Sequence, residues 1–186
     1  MDALKIIQDI LPLPPTDQQL LYSLFQEVSI KKNSYIIEAN RLSNSIYFIK
    51  DGCCRIFYHK EEKEVILDFA FPGDSLISLN SYIHNCSGYE NIQSLENCVL
   101  YQINTQKLQQ LFNQSIAIAN WGRKLVELET LKIESRLMSK LFNSALDSYK
   151  ALLYRAPQII QHVKLGYIAS YLGISQVTLS RIRAKL

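Results

Sequence analysis

A set of polar and basic side chains near the end of the chain is suited to contact a phosphate backbone. Residues 175–183 have helical spacing that buries Leu179 and Ile182 and turns the other side chains outward. The outward residues are Ser175, Gln176, Val177, Thr178, Ser180, Arg181 and Arg183. Arginine, hydroxyl and amide groups are the usual donors to phosphate oxygens and base edges. We therefore predict that this helical face binds DNA.

A second short helix and a tight turn must position that face. Ile168, Ala169 and Leu172 give one apolar side to a helix within residues 164–172. Gly173 follows where a helix end favours a left-handed backbone, and Ser175 is a good N-cap for the next helix. This arrangement is typical of a DNA-binding helix-turn-helix. The alternative is an ordinary pair of core helices.

The charge distribution favours the DNA-binding interpretation. The whole chain carries a formal charge of +3, but residues 148–186 contain no Asp or Glu. The basic residues of that segment are Lys150, Arg155, Lys164, Arg181, Arg183 and Lys185. A helix pair has no folding reason to exclude every acid, whereas a surface facing phosphates does, because each acid would repel the phosphate charge.

The composition indicates a globular protein. Of its 186 residues, 48% are hydrophobic and 20% are charged. There is no apolar run of about 18 residues and no basic, apolar segment typical of a secretory signal, so we expect a cytoplasmic protein without a membrane span. The cysteines Cys53, Cys54, Cys86 and Cys98 are then expected to be reduced thiols. Their spacing fits no common zinc or iron–sulfur pattern.

The middle of the chain reads as β-structure. Between residues 28 and 103, short β-branched and aromatic runs alternate with turn signals, which predicts an antiparallel barrel or jelly roll. Asp51-Gly52 lies between two such runs and predicts a hairpin. For residues 76–82 the sequence allows either a helix or a strand.

A long helix is predicted from about residue 115 to residue 142. Ile118, Trp121, Leu125 and Leu128 recur at intervals of three and four, as in a two-heptad seam, and other apolar residues fall on other faces. We expect one side to cover the β-structure and the seam to form a homodimer interface. The alternative is that all of these residues pack within one chain.

The order of these parts resembles the Crp/Fnr family of bacterial transcription regulators. The most specific pieces are IASYLGISQVTLSRIR (168–183) and SIYFIKDGCCRIFY leading to FPGD (71–74). The resemblance implies an α+β fold with an antiparallel, jelly-roll-like β-roll, a long dimerisation helix and a C-terminal helix-turn-helix. The corresponding divisions are 1–114, a cyclic-nucleotide-binding-like sensor; 115–142, the dimerisation helix; and 143–186, the DNA-binding domain.

The resemblance also implies residue roles and partners. By position, Gln176, Val177 and Arg181 match base-reading places, and Thr178 and Ser180 would lie near phosphates. An arginine fork pairs with guanine O6 and N7, so Arg181 is the strongest candidate, while Arg183 would reach a phosphate. The expected partners are double-stranded DNA with an inverted-repeat operator, a second copy of the chain, and RNA polymerase.

The sequence departs from the family at the cyclic nucleotide cassette. Where the family has a Gly-Glu pair and then Arg-Ser/Thr-Ala, this chain has Ile77-Ser78 and Gly88-Tyr89-Glu90. No Arg or Lys occurs from residue 71 to 106, so a cyclic phosphate would lack a countercharge. We expect any effector to be small and uncharged. Its candidate pocket residues are Phe69, Phe71, Leu76, Leu79, Tyr82 and Tyr89.

No catalytic constellation or metal site is apparent, and we expect neither an enzyme nor a bound cofactor. No cysteine precedes Cys53, unlike the iron–sulfur branch of the family, and His59, His84 and His162 are isolated as candidate haem ligands. The main hypothesis is a dimeric transcription regulator. The alternative is a β-roll that binds a ligand or protein, with a helical tail that serves assembly and does not bind DNA.

Overall fold

The computed structural model describes residues 1–61, 63–157 and 159–184. In the described chain, helices α1 (Ala3–Ile10) and α2 (Pro15–Tyr22) come before the strands. The strands are β1 (Gln26–Ile30), β2 (Tyr35–Ile37), β3 (Ser45–Asp51), β4 (Cys54–Lys60), β5 (Lys63–Ala70), β6 (Ser75–Leu76), β7 (Asn91–Ser94) and β8 (Cys98–Asn104), with α3 (Leu79–His84) between β6 and β7. The segment 76–82 therefore ends a strand and begins a helix.

Helices make up the described part of the chain after β8. They are α4 (Thr105–Gln114), α5 (Ile116–Phe142), α6 (Ala145–Arg155), α7 (Ile159–His162), α8 (Leu165–Leu172) and α9 (Gln176–Arg183). Side-chain caps define where α4 and α5 begin: Asn104 Oδ1 accepts from the Lys107 N–H at 3.0 Å and Ser115 Oγ from the Ile118 N–H at 3.2 Å. The predicted long helix is thus observed over almost the same residues.

The strands form two antiparallel, four-stranded sheets. The first has the order β1-β8-β3-β6 and the second β2-β7-β4-β5. Because side chains alternate between the faces of a strand, β3 points Ile49 between the sheets and Phe48 to the outer face of the first sheet. The mixed α+β architecture with antiparallel sheets is confirmed.

Helices cover the outer face of each sheet. Residues such as Ile49, Leu76 and Leu100 fill the space between the sheets. On the first sheet, Phe48 packs with Ile7 of α1 and Trp121 of α5. On the second sheet, a third core joins strand residues to helices α6 to α9; it includes Phe57, Ile66, Phe69, Tyr149, Ile159, Ile168 and Leu179. The C-terminal helices are therefore packed directly against the β-roll.

The hairpin predicted at Asp51-Gly52 is wrong. β3 pairs with β6 and β8, whereas β4 pairs with β5 and β7, so this turn carries the chain from one sheet to the other. Gly52 has a φ of +98°, and a Cβ there would lie 2.6 Å from Cys98 Sγ. Glycine is needed for this crossover rather than for a two-residue hairpin.

No helix among the described residues is long and apolar enough to cross a membrane.

Candidate nucleic-acid interface

Local hydrogen bonds fix the angle between α8 and α9. Gly173 has a left-handed backbone with φ +69°, and the Ile174 N–H donates to the Ala169 carbonyl at 3.0 Å. These are features of a Schellman-type helix end. Ser175 Oγ then accepts from the Thr178 N–H at 3.1 Å, which caps α9. Both the glycine and the cap occur where the sequence predicted them.

The face of α9 that was predicted to contact DNA is exposed. Leu179 is buried in the core on the second sheet and Ile182 packs against that core. The predicted DNA-contacting residues Ser175, Gln176, Val177, Thr178, Ser180, Arg181 and Arg183 are all exposed. At about 100° per residue, Val177, Ser180 and Arg181 point most directly away from the core, and Arg183 lies on a flank.

Gln176 lies over the beginning of α8. A Cβ added to Gly166 would lie 2.6 Å from Gln176 Nε2. The absence of a side chain at position 166 therefore provides the space in which the Gln176 amide lies. This positioning residue was not apparent from the sequence, because it depends on the packing of two helices.

Only part of the predicted basic surface is available to a phosphate backbone. Lys150, Lys164, Arg181 and Arg183 are exposed, and Lys164 lies 5.8 Å from the centre of the Tyr167 ring. Arg155 is also partly exposed, but it is held to the β-roll, where Nη2 donates to Asp68 Oδ1 at 2.8 Å and to the Phe69 carbonyl at 2.9 Å. Lys185 lies outside the described residues. Residues 148–186, which contain no acid, thus include at least one basic residue, Arg155, that is hydrogen-bonded within the chain.

Asp68 connects three elements. Its carboxylate accepts from Arg155 of α6 and, through the other oxygen, from Nη1 of Arg136 of α5. Although burial opposes it, the carboxylate holds the pKa of Arg155 above its ordinary value. On the same sheet, Arg55 is sandwiched between the rings of Phe57 and Tyr167, with its guanidinium 3.9 and 4.2 Å from the ring centres. These contacts fasten the C-terminal helices to the β-roll.

The predicted dimer seam on α5 needs correction. Ile118 and Trp121 are fully buried within the single chain, where Trp121 Nε1 donates to the Ile7 carbonyl at 3.0 Å. Leu125 packs against the same core, and Leu128 is half-buried. Helix α1 covers this side of α5, so Ile118 and Trp121 cannot form an intermolecular interface. Apart from Ile116 at the start of the helix, the large exposed apolar residues of α5 lie further along; they are Val126, Leu131, Ile133, Leu137, Met138, Leu141 and Phe142.

The six predicted effector residues do not form one pocket. Phe69 is buried and Phe71 partly buried on the helix-covered side of the second sheet, whereas Leu76 is buried between the sheets. Tyr89 is 64% exposed. Leu79 and Tyr82 share a cavity, an apolar groove of about 240 Å³ between α3 and α5. The sequence did not show that these residues lie in different parts of the molecule, because consecutive strands belong to different sheets and their side chains pack in different cores.

The cassette positions bring an acid and a hydroxyl together. A Cβ on Gly88 would lie 2.5 Å from both Ser78 Oγ and Glu90 Oε1. Ser78 Oγ and Glu90 Oε1 are both buried and lack a hydrogen-bond partner among the described residues. A phosphate placed here would meet the Glu90 carboxylate instead of an arginine, which disfavours anion binding.

The fold defines a class: a cyclic-nucleotide-binding-like β-roll followed by a long helix and a group of short helices. Residues 27–115 match the family of cyclic nucleotide-binding domains. No protein of curated function has a sequence significantly similar to the chain.

Solved structures of bacterial proteins share this fold across most of the chain. FixK2 from Bradyrhizobium japonicum is 17% identical with a TM-score of 0.75, over 87% of this chain and 84% of that one. A Crp/Fnr-family transcriptional regulator from Eubacterium rectale is 16% identical with a TM-score of 0.71, over 95% and 87%. The c-di-GMP-responsive global regulator CLP from Xanthomonas campestris is 15% identical with a TM-score of 0.69, over 92% and 91%.

Proposed function

We propose that the chain is a sequence-specific, DNA-binding transcription regulator that acts as a homodimer. The observation that carries the proposal is the outward face of α9, a capped helix anchored by Leu179 that exposes Gln176, Arg181 and Arg183. The similarity of the fold to Crp/Fnr regulators supports the same function. In this proposal, residues 1–114 are a sensor domain, 115–142 a dimerisation helix and 143–186 the DNA-binding domain.

The proposed interface assigns different roles to the two arginines of α9. Arg181 points away from the core and reaches a base edge in the major groove, where its fork pairs with guanine. Arg183 lies on the flank and contacts a phosphate. Two copies of α9 related by a two-fold axis would lie roughly 34 Å apart, so the operator is an inverted repeat with that half-site spacing.

The proposed dimer interface is the exposed apolar side of α5. Val126, Thr130, Ile133 and Leu137 recur at intervals of four, three and four, which is the spacing of a coiled-coil seam. Val126, Thr130 and Ile133 also line the apolar groove beside α3, where Leu79 is 50% exposed. A second copy of α5 offers a matching stripe and would cover both surfaces.

The proposal also covers the effector, RNA polymerase and the location of the protein. In it, the β-roll is the sensor. The β-roll responds to a small uncharged effector rather than to a cyclic nucleotide, because the acidic Glu90 lies where a basic residue would be needed to balance the phosphate. The bound dimer acts on RNA polymerase at promoters. We assign no enzymatic reaction to the chain, which we place in the cytoplasm.

The salt dependence of binding to duplex DNA tests this function. Fluorescence anisotropy should show affinity falling steeply with salt, because each phosphate contact releases about 0.9 counterions. Arg181→Ala/Arg183→Ala should weaken binding and flatten the slope. Lys31→Ala/Lys32→Ala removes the same charge from exposed residues between β1 and β2 and is the matched control. If both variants behave alike, or the wild type does not bind DNA, the alternative of a β-roll binding module with an assembly tail is favoured.

A further inference from the structure

A cavity of about 520 Å³ opens where the β-roll, α5, α6 and the turn after α8 meet. We call it the hinge cavity. Its walls include Ile66 of β5, Arg136 and Lys140 of α5, Arg155 of α6 and Tyr171 of α8. Its volume is within the range of small-molecule sites in proteins, about 300–1,000 Å³. It is distinct from the apolar groove beside α3 and from the exposed face of α9.

The hinge cavity has an excess of positive charge. Arg136, Lys140 and Arg155 line it, and none of its lining residues among those described is acidic. Asp68 lies behind the two arginines and accepts one hydrogen bond from each. Asp68 can balance only one of these three positive charges, and Lys140 makes no ion pair with it among the described contacts, so the cavity walls keep an excess of positive charge. A dianion would balance this excess.

The other walls supply hydroxyl groups and apolar surface. Ser135, Ser139 and Ser148 provide hydroxyls near the cations, and Ile66, Leu152 and Tyr171 provide the apolar side. Guanidinium forks match the geometry of a phosphate, and serine hydroxyls donate to its remaining oxygens. An aromatic or aliphatic body attached to that phosphate could rest on the apolar side.

We propose that the hinge cavity binds a small phosphate monoester with an apolar or aromatic body. The phosphate contacts Arg136, Lys140 and Arg155, and the body packs beside Tyr171. Such a ligand would touch the β-roll, α5, α6 and the turn that leads into α9 at once. The consequence for DNA rests on the proposed DNA-binding function. A ligand bound in the hinge cavity would set the position of α9 relative to the dimer axis and thereby change DNA affinity.

Calorimetric titration of the full chain with phenyl phosphate tests the site without DNA. The expected result is saturable binding with a Kd of about 1 mM or tighter. Phenol, which lacks the phosphate, should not bind, and inorganic phosphate should bind more weakly than the ester. Lys140→Ala should weaken binding about fivefold or more, because it removes a charged phosphate donor. Lys150→Ala, which removes an exposed charge from the outside of α6, should leave binding unchanged.

Three results would overturn the proposal. They are the lack of saturable binding of phenyl phosphate up to about 10 mM, equal weakening by Lys140→Ala and Lys150→Ala, and inorganic phosphate binding as tightly as the ester. Because the titration contains no DNA, its outcome is independent of whether the chain binds an operator.

Discussion

The Asp68 carboxylate accepts a hydrogen bond from Arg155 Nη2 at 2.8 Å, which joins the second sheet to α6. Asp68 is 9% exposed and also accepts from Arg136, so one carboxylate fastens α5 and α6 to the β-roll. The core beside this contact joins the second sheet to residues of α6, α8 and α9. The orientation of the proposed DNA-binding face therefore depends on a residue of the sheet.

Asp68→Asn should lower the free energy of unfolding by about 1–3 kcal/mol. The amide keeps the size of the side chain but loses the charge, and hydrogen bonds to charged groups contribute more than neutral ones. Urea denaturation measures the change. Asp51→Asn, at the exposed end of β3, is the matched control and should be nearly neutral. Equal effects of the two substitutions would contradict the role given to Asp68.

Gly166→Ala should alter DNA recognition without harming stability. Alanine is the better helix former by about 0.5–1 kcal/mol, but its Cβ would displace the Gln176 amide. Operator affinity should fall while the thermal midpoint is unchanged or higher. Gly166→Ala combined with Gln176→Ala should show no further loss beyond Gln176→Ala alone. An additive loss would mean that Gly166 acts by another route.

Local chemistry explains why the α8–α9 region could be predicted. The left-handed position of Gly173 and the cap at Ser175 depend on residues within a few positions of each other. The same holds for the caps that begin α4 and α5. Signals of this kind are readable from a single sequence because they do not depend on the rest of the fold.

The predictions that were wrong depend on contacts with parts of the chain that are distant in sequence. The seam around Trp121 is apolar because α1, more than a hundred residues earlier, packs over it. Arg155 lies in a basic tail, but its partner Asp68 is on β5. Asp51-Gly52 has hairpin composition, yet it crosses between sheets. A periodic or basic pattern shows that a face is buried or charged but not which element meets it.

The revised dimer interface predicts which substitutions on α5 produce monomers. Ile133→Glu/Leu137→Glu should do so in sedimentation experiments, because it places like charges opposite each other across the two-fold axis. Leu131→Glu/Met138→Glu introduces the same charges on another exposed side of α5 and should leave a dimer. Leu125→Glu should instead destabilise the chain, because Leu125 packs in the inner core. A wild type that sediments as a monomer at micromolar concentration would refute the dimer.

Cyclic nucleotides should not bind the β-roll. The Glu90 carboxylate lies beside Gly88, and no basic residue is present from residue 71 to 106. Calorimetry with cyclic AMP and cyclic GMP should detect no binding tighter than about 1 mM, equivalent to about 4 kcal/mol. The Lys140→Ala variant is used, because it weakens any contribution of the hinge cavity. A micromolar Kd in that variant would show that a cation reaches the cassette from elsewhere in the chain.

Binding-site selection on the Arg181→Ala and Arg183→Ala variants tests the central proposal, recognition of DNA by α9. Arg181→Ala should cost about 1–3 kcal/mol per half-site and relax the preference at one position of each half-site. Arg183→Ala should keep the wild-type preference at every position, weaken all sequences alike and reduce the salt slope by about one unit per contact. If Arg181→Ala retains the complete wild-type preference, the assignment of α9 to the major groove is contradicted.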